Sequence, residues 1–271
     1  MIFKINAIHK KIQASRALVT GASSGIGLEF ARVMAKAGIN LVLVARSSDK
    51  LKTIAENLKQ QYGIDVQSIC ADLSRHEDVE QVYNSLEQQK LQVDYLVNNA
   101  GFGDFGYFHE ADWNKLEQMI NLNISALTRL SYLFVRDMVS RGHGRILNVA
   151  STAAFQPGPT MAVYYATKSY VLSLSEAMAN ELEKTGVTVT CLCPGPTESG
   201  FQEKAALSES KLVKGKKLPS AVEVAEFGFD AMMKGKITVI PGLMNAVSAQ
   251  AYRFLPRNWL LRLVRSVQER A

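Results

Sequence analysis

The chain has 271 residues, 47% of them hydrophobic and 21% charged, values of an ordinary globular protein with enough length to bury a large core in one α/β domain. The net charge of +6, from 31 Lys and Arg against 25 Asp and Glu, gathers at the two ends and in residues 204–217. With no basic helix interleaved with exposed aromatics, this pattern argues against a nucleic-acid partner, while an anionic ligand or membrane surface stays compatible with it.

Residues 1–13 are basic and mixed, without the apolar core of a secretory signal. From residue 14 onward, apolar strand-like runs alternate with longer helical ones. Ala17-Leu18-Val19 leads into a glycine-rich turn, Thr20-Gly21-Ala22-Ser23-Ser24-Gly25-Ile26-Gly27, and a helix through Ala37. In such a turn Gly21 permits the tight bend, Gly25 lets backbone approach a pyrophosphate, and Gly27 lets the helix pack closely on the sheet. The amides at the helix N-terminus then face the phosphates. Ile39 to Ala45 is a second strand ending in Arg46-Ser47, followed by a polar helix to about Tyr62. Val66 to Cys70 is a third, ending in Asp72-Leu73, with a helix over residues 75–90.

Asp94 to Val97 opens a fourth strand, which runs into Asn98-Asn99-Ala100-Gly101. A single long helix is expected from Asp112 to Val139, with Asn121 and Asn123 in its middle, and a fifth strand from Arg145 to Ala150. A helix from about Val163 to Lys184, a sixth strand from Val187 to Leu192, and a further helix and short strand within residues 219–242 complete the alternation. Strands without polar alternation, each separated by a helix, indicate a parallel sheet covered on both faces. The expected fold is therefore α/β, a doubly wound parallel sheet of Rossmann type. It forms a single domain, residues 1–271, with its core at 14–242, a Lys-rich lid over the ligand edge at about 199–218, and a C-terminal helical tail at 244–271. The uncharged run from Ile146 to Thr167 is long enough for a membrane span, but its prolines, glycine and polar residues exclude one.

Ser151 closes the fifth strand, and Tyr164 and Lys168 stand four apart at the head of the next helix, on one face. A fixed ammonium beside a phenol favours the phenolate, so Tyr164 is expected to work as a general acid/base nearer neutral pH than a free tyrosine, with Ser151 holding a carbonyl or hydroxyl oxygen. Tyr165, pointing elsewhere on the helix, reads as packing. The serine lies thirteen residues before the tyrosine. With Tyr-x-x-x-Lys and the TGxxxGxG turn, residues 14–200 resemble the short-chain dehydrogenase/reductase family.

That resemblance implies reversible hydride transfer between a nicotinamide cofactor and a carbonyl or secondary alcohol, with Ser151, Tyr164, Lys168 and Asn123 as the catalytic set. Asn123, in preference to Asn121, is the residue whose backbone carbonyl anchors a water touching the lysine. Lys168 also binds the nicotinamide ribose. The cofactor would lie on Gly21, Ser23, Ser24, Gly25, Ile26 and Gly27, with Asp72 and Leu73 at the adenine. Asn99 would lie along it, and Pro194, Gly195 and Thr197 would bracket the nicotinamide. Members that prefer the unphosphorylated cofactor carry an acidic residue after the second strand, where this chain has Arg46 and Ser47. Arg46 attracts a 2′-phosphate, so NADP(H) is the expected cofactor. The resemblance further implies a homodimer or homotetramer, and the tail and the turn after the sixth strand lean toward a lipid-like substrate such as a 3-oxoacyl compound or steroid. The alternative is a non-catalytic NADP(H)-sensing protein.

Cys70, Cys191 and Cys193 fall in apolar strands and read as buried free thiols, consistent with a reducing, cytoplasmic location. Cys191-Leu-Cys193 and the four scattered histidines fit no metal-ligand spacing. In the tail, residues 259–265 mix apolar and basic residues at helical spacing. Closing the substrate pocket, joining a subunit contact and lying peripherally on an anionic membrane are the three roles open to it.

Overall fold

Seven apolar runs pair as parallel strands: β1 (Arg16–Thr20), β2 (Asn40–Ala45), β3 (Val66–Cys70), β4 (Tyr95–Asn98), β5 (Gly144–Val149), β6 (Val187–Leu192) and β7 (Thr238–Val239). The computed structural model describes residues 15–201, 205 and 218–268. Its sheet has the order β3-β2-β1-β4-β5-β6-β7, the doubly wound arrangement expected from the sequence, with the reversal of direction between β1 and β4.

Successive strand residues point to opposite faces, which divides the core in two. Val19, Leu43, Val97 and Leu147 face α1 (Gly25–Lys36), α2 (Ser48–Tyr62) and α7 (Ala221–Met233), where Phe30, Met34 and Met232 pack on them. Leu18, Val42, Leu96, Ile146 and Val189 face the other way, onto Val82 and Leu86 of α3 (His76–Gln88) and Leu130, Phe134 and Met138 of α5 (Leu127–Arg141). The register is set by these apolar rows, with Leu18 paired to Val42 on one side and Leu96 on the other. A half-residue slip is impossible and a full-residue slip would turn every row to the wrong face.

Two differences from the sequence expectation have physical causes. The long helix is interrupted: α4 (Trp113–Ile120) passes through a π-helical turn, Asn121–Ala126, before α5. The turn exists where Asn123, buried in the interior, uses its amide on groups outside the helix. Cys70 is exposed, unlike Cys191 and Cys193, because β3 is the edge strand and alternate residues on it reach solvent.

A buried polar chain ties the middle of the sheet to its helices. Asn98 Nδ2 donates to Ser131 Oγ (3.0 Å) and Asn148 Oδ1 (2.9 Å), Asn148 Nδ2 donates to Ser175 Oγ (2.9 Å), and Ser175 donates to the Val171 carbonyl (2.6 Å). Ser175 and Val171 belong to α6 (Ala162–Glu181), so this chain fixes that helix against β5. The C-terminal extension forms α8 (Leu243–Ala251) and α9 (Arg257–Gln268). Among the described residues no helix is long and apolar enough to cross a membrane.

Close approach of α1 and α7 depends on Gly228, where an added Cβ would lie 2.7 Å from Phe30 Cζ and 2.8 Å from Leu192 Cδ2. Alanine is favoured over glycine in a helix by about 1 kcal/mol, whereas overpacking a close-packed core costs about 1–3 kcal/mol. Gly228→Ala should therefore lower stability by up to about 2 kcal/mol in urea unfolding. A variant more stable than the parent would show that the contact relaxes freely.

Candidate active site

The first strand-to-helix turn is packed so closely against the end of β4 and against Ser199 that its three glycines leave no room for a Cβ. Gly21 (φ +67°) would place a Cβ 2.8 Å from Asn99 Nδ2 and 3.0 Å from Ala100 Cα, and Gly25 (φ +55°) would place one 2.8 Å from the Ser199 carbonyl oxygen. A Cβ on Gly27 would run into the Gly21 carbonyl and the Asn99 amide. Hydrogen bonds hold the two segments together: Asn99 Nδ2 donates to the Thr20 carbonyl (2.9 Å), while Thr20 Oγ1 accepts from the amides of Asn99 (3.0 Å) and Ala100 (2.9 Å). Gly27 thus serves the turn's own packing, and α1 begins at Gly25 with its N-terminus opening on the cavity beyond.

On the other side of that cavity the chain leaves β5 at Ser151, whose Oγ accepts from the Ala153 amide (3.1 Å) and starts a short 3₁₀ turn, Thr152–Phe155. The hydroxyl proton is then left to donate elsewhere. After a Pro/Gly loop, α6 brings Tyr164 and Lys168 onto one buried face. Lys168 Nζ donates to the Val149 carbonyl at 2.8 Å and lies 5.8 Å from the centroid of the Tyr164 ring. Asn123 backs this pair. Its Oδ1 accepts from the Phe102 amide (3.1 Å), and its Nδ2 donates to the Phe102 carbonyl (2.9 Å) and Thr167 Oγ1 (3.1 Å). Asn121, the other asparagine in the turn, is only half-buried.

The electrostatics differ from the expectation that Lys168 brings Tyr164 toward neutrality. Burial dominates and pushes the Tyr164 phenol up to about 12, with the Ser151 hydroxyl pulling it down by less. Burial likewise lowers Lys168 to about 8, opposed by the neighbouring Cys191 and Cys193 thiols. The ammonium is committed to the Val149 carbonyl and sits against the ring of Tyr164, so it does little for the phenolic oxygen. At neutral pH the site therefore presents a protonated phenol and a protonated amine.

Between these walls lies a cavity of about 420 Å³. Arg46, Ser47, Asp72 and Leu73 line one end, Gly21, Ser23, Ser24, Gly25, Ile26 and Asn99 the middle, and Ser151, Tyr164, Lys168, Pro194, Gly195 and Thr197 the other. All of the candidate residues meet there except Gly27 and Asn123, which stand behind the lining. Arg46 and Ser47 are exposed at their end, and the Asp72 carboxylate accepts from the Ser74 amide and hydroxyl (3.1 and 2.8 Å). The cavity, a helix N-terminus at its middle, a turn whose glycines have no room for a Cβ and a cationic end together fit a dinucleotide.

Sequence reasoning missed part of the opposite wall. Phe201 lies 5.4 Å from Tyr164, ring to ring, and Met161, Asn245, Ser248 and Tyr252 also line the cavity. Asn245 is fixed by donating to the Pro241 carbonyl (2.9 Å) and packs against Gly195. The tail therefore does supply a pocket wall, through α8 and the turn after it. Tyr165 does more than pack: it lines the cavity, and its hydroxyl accepts a hydrogen bond from the Gln268 side chain. No local signal connects residues 103 positions apart. Most of the segment at 199–218 lies outside the described residues. Its two ends are joined where the Glu198 amide donates to the Pro219 carbonyl (2.9 Å).

A family model described as short chain dehydrogenase matches residues 15–210. A 7beta-hydroxysteroid dehydrogenase from Mediterraneibacter gnavus is 29% identical over 245 residues, 87% of this chain and 89% of that protein. A very-long-chain 3-oxoacyl-CoA reductase from Rattus norvegicus is 33% identical over 182 residues, 66% of this chain and 58% of that longer protein. Among solved structures, a short-chain dehydrogenase from Sphingobium yanoikuyae in complex with NADPH superposes with a TM-score of 0.80 and 31% identity, covering 89% of this chain and 92% of that one. The glycine turn, the cavity it borders and the extent of these matches lead to one assignment: the chain belongs to the short-chain dehydrogenase family, and is an oxidoreductase of that family.

Proposed function

We propose that this protein is an NADP(H)-dependent reductase of ketones or aldehydes, working reversibly on the corresponding alcohols. The observation that carries the reading is the placement of Ser151, Tyr164 and Lys168 on one wall of a cavity whose far end is lined by Arg46. When bound, the cofactor supplies the hydride. Arg46 would hold its 2′-phosphate by charge-assisted hydrogen bonds, with Ser47 beside it.

The protein's own part is to orient the substrate and move a proton. The Ser151 hydroxyl, held by the Ala153 amide through one of its two lone pairs, donates to the substrate oxygen. Tyr164, protonated at neutral pH, gives that oxygen its proton as negative charge grows there. The Lys168 ammonium, with Asn123 behind it, leads toward proton resupply. Met161, Tyr165, Phe201 and Tyr252 make the substrate side apolar, which suits a lipid-like carbonyl compound, as do the relatives named for hydroxysteroids and 3-oxoacyl-CoA. A pure cofactor sensor would have no use for the three polar residues at this end.

Following NADPH oxidation by absorbance across ketones, oxosteroids and 3-oxoacyl thioesters, Tyr164→Phe should lose at least about 100-fold in turnover while NADPH affinity stays within about twofold. Equal turnover in variant and parent would exclude Tyr164 as proton donor. Absence of turnover by the parent across the panel, with tight NADPH binding, would favour the sensor.

Arg46→Ala should weaken NADPH by about tenfold or more, the worth of a hydrogen bond between charged groups, and leave NADH nearly unchanged. Parallel titrations with equal losses for both would remove Arg46 from cofactor selection.

Lys168 sits at about 8 in the folded chain against an ordinary 10.5, so the penalty of burying its charge is complete below pH 8 and is relieved as pH rises toward 10.5. The stability of the parent relative to Lys168→Met should therefore increase across that window, by up to about 3 kcal/mol. Urea unfolding that gives a constant difference from neutral pH to about 10.5 would show that the lysine is not depressed.

A further inference from the structure

The helices of the C-terminal extension each turn one face to the protein and leave apolar side chains exposed on another. In α8, Asn245, Ser248 and Ala249 turn inward to the cavity, while Leu243 and Met244 on the opposite side are 83% and 78% exposed and Val247 is exposed beside them. In α9, Leu260, Val264 and Gln268 are buried against the cluster that holds Tyr164 and Tyr165. Trp259, Leu263 and Val267, at i, i+4 and i+8, form a second stripe on its flank that is exposed in part, with Trp259 70% exposed. Phe254, between the helices, is 87% exposed. A folded monomer rarely leaves this much contiguous aromatic and aliphatic surface in water without a use for it.

The charge of the same segment selects the occupant. Residues 243–268 contain Arg253, Arg257, Arg262 and Arg265 and no Asp or Glu, in a chain whose whole net charge is +6. Arg257, Arg262 and Arg265 are exposed on α9. Arg265 leans over the Tyr107 ring, 6.0 Å from its centroid, which brings the exposed Phe108 next to the tail. A helical segment that exposes tryptophan, phenylalanine and leucine, carries exposed arginines and has no acidic residue between positions 243 and 268 has the composition of an element that lies in a lipid headgroup layer. A protein partner of the usual mixed charge would not require the complete exclusion of carboxylates.

We propose that the outer face of α8 and α9 docks on an anionic phospholipid bilayer, with Leu243, Met244, Phe254 and Trp259 entering the interface and Arg257 and Arg262 pairing with lipid phosphates. Since the inner face of α8 is a wall of the cavity, docking places the site one helix away from the lipid. The docking itself does not depend on the reaction proposed above, and it is read without any enzyme assay.

The test is co-sedimentation of the full chain with vesicles of pure phosphatidylcholine or of phosphatidylcholine with phosphatidylglycerol at about three in ten. Binding is expected to the anionic vesicles only, weakening with salt, and with a blue shift of Trp259 emission measured in a Trp113→Phe background. Arg257→Gln and Arg262→Gln should each lower binding about fivefold, and Trp259→Ser with Leu263→Ser should abolish it while NADPH affinity is retained, which shows that the fold persists. Absence of binding to anionic vesicles, or equal binding to both compositions, overturns the proposal. So does light scattering that gives a dimer in the parent and a monomer in the Trp259→Ser, Leu263→Ser variant, since that outcome assigns the face to a second copy of the chain.

Discussion

A lysine ammonium placed inside a protein must be given partners there, and much of the site is arranged around the one belonging to Lys168. It reaches the Val149 carbonyl at the end of β5, so it can be positioned only if α6 lies flat against that strand. The Asn98-Asn148-Ser175 hydrogen bonds keep the helix there. Space is controlled as tightly as polarity: a Cβ on Gly101 would come within 3.5 Å of Nζ and 2.9 Å of Asn123 Oδ1. The thiols of Cys191 and Cys193, 3.7 Å apart beneath the lysine, favour its charged form. What the sequence presents as two residues four apart is thus held by β4, β5, β6 and the turn in the long helix together.

This arrangement divides labour between proton and charge. Burial raises the phenol and lowers the amine, so the pair rests as two protonated groups without an ion pair between them. Such a site is loaded to give a proton from the phenol rather than to take one up. The hydroxyl of Ser151 completes the set because the bond from its local turn anchors the oxygen without using the proton. The polar catalytic residues and the apolar wall of Phe201, Met161 and Tyr252 share the same end of the cavity.

Strands and the glycine turn were legible in the sequence because each rests on a local rule. Unbroken apolar runs signal strands covered on both faces, and Gly21 and Gly25 occupy backbone conformations with positive φ. Tyr164 and Lys168 were legible through helical spacing alone. What escaped depends on contacts distant in sequence. Cys70 is exposed because of where its strand falls in the sheet order, which no property of the run Val66–Cys70 encodes. Asn245, Tyr252 and Gln268 reach the site through the folding back of a tail whose own pattern indicates only amphipathic helix. The ionisation of Tyr164 was misjudged for a related reason: sequence spacing reports that a charge is near, while burial, which wins here, is a property of the whole fold.

The π-helical turn at Asn121–Ala126 has a consequence for how this protein tolerates change in length. One extra residue in a helix rotates everything after it by about 100°, so α4 and α5 present faces that a regular helix would not align. Leu116 and Met119 before the turn point into the cluster around Tyr164, while Leu130 and Phe134 after it point into the core under the sheet. Removing a single residue from the turn would let it relax to an ordinary helix and swing one of these rows into solvent. The element can therefore accept many substitutions on its outer side, yet its residue count is fixed, as the number of teeth is fixed in a gear that must mesh at both ends.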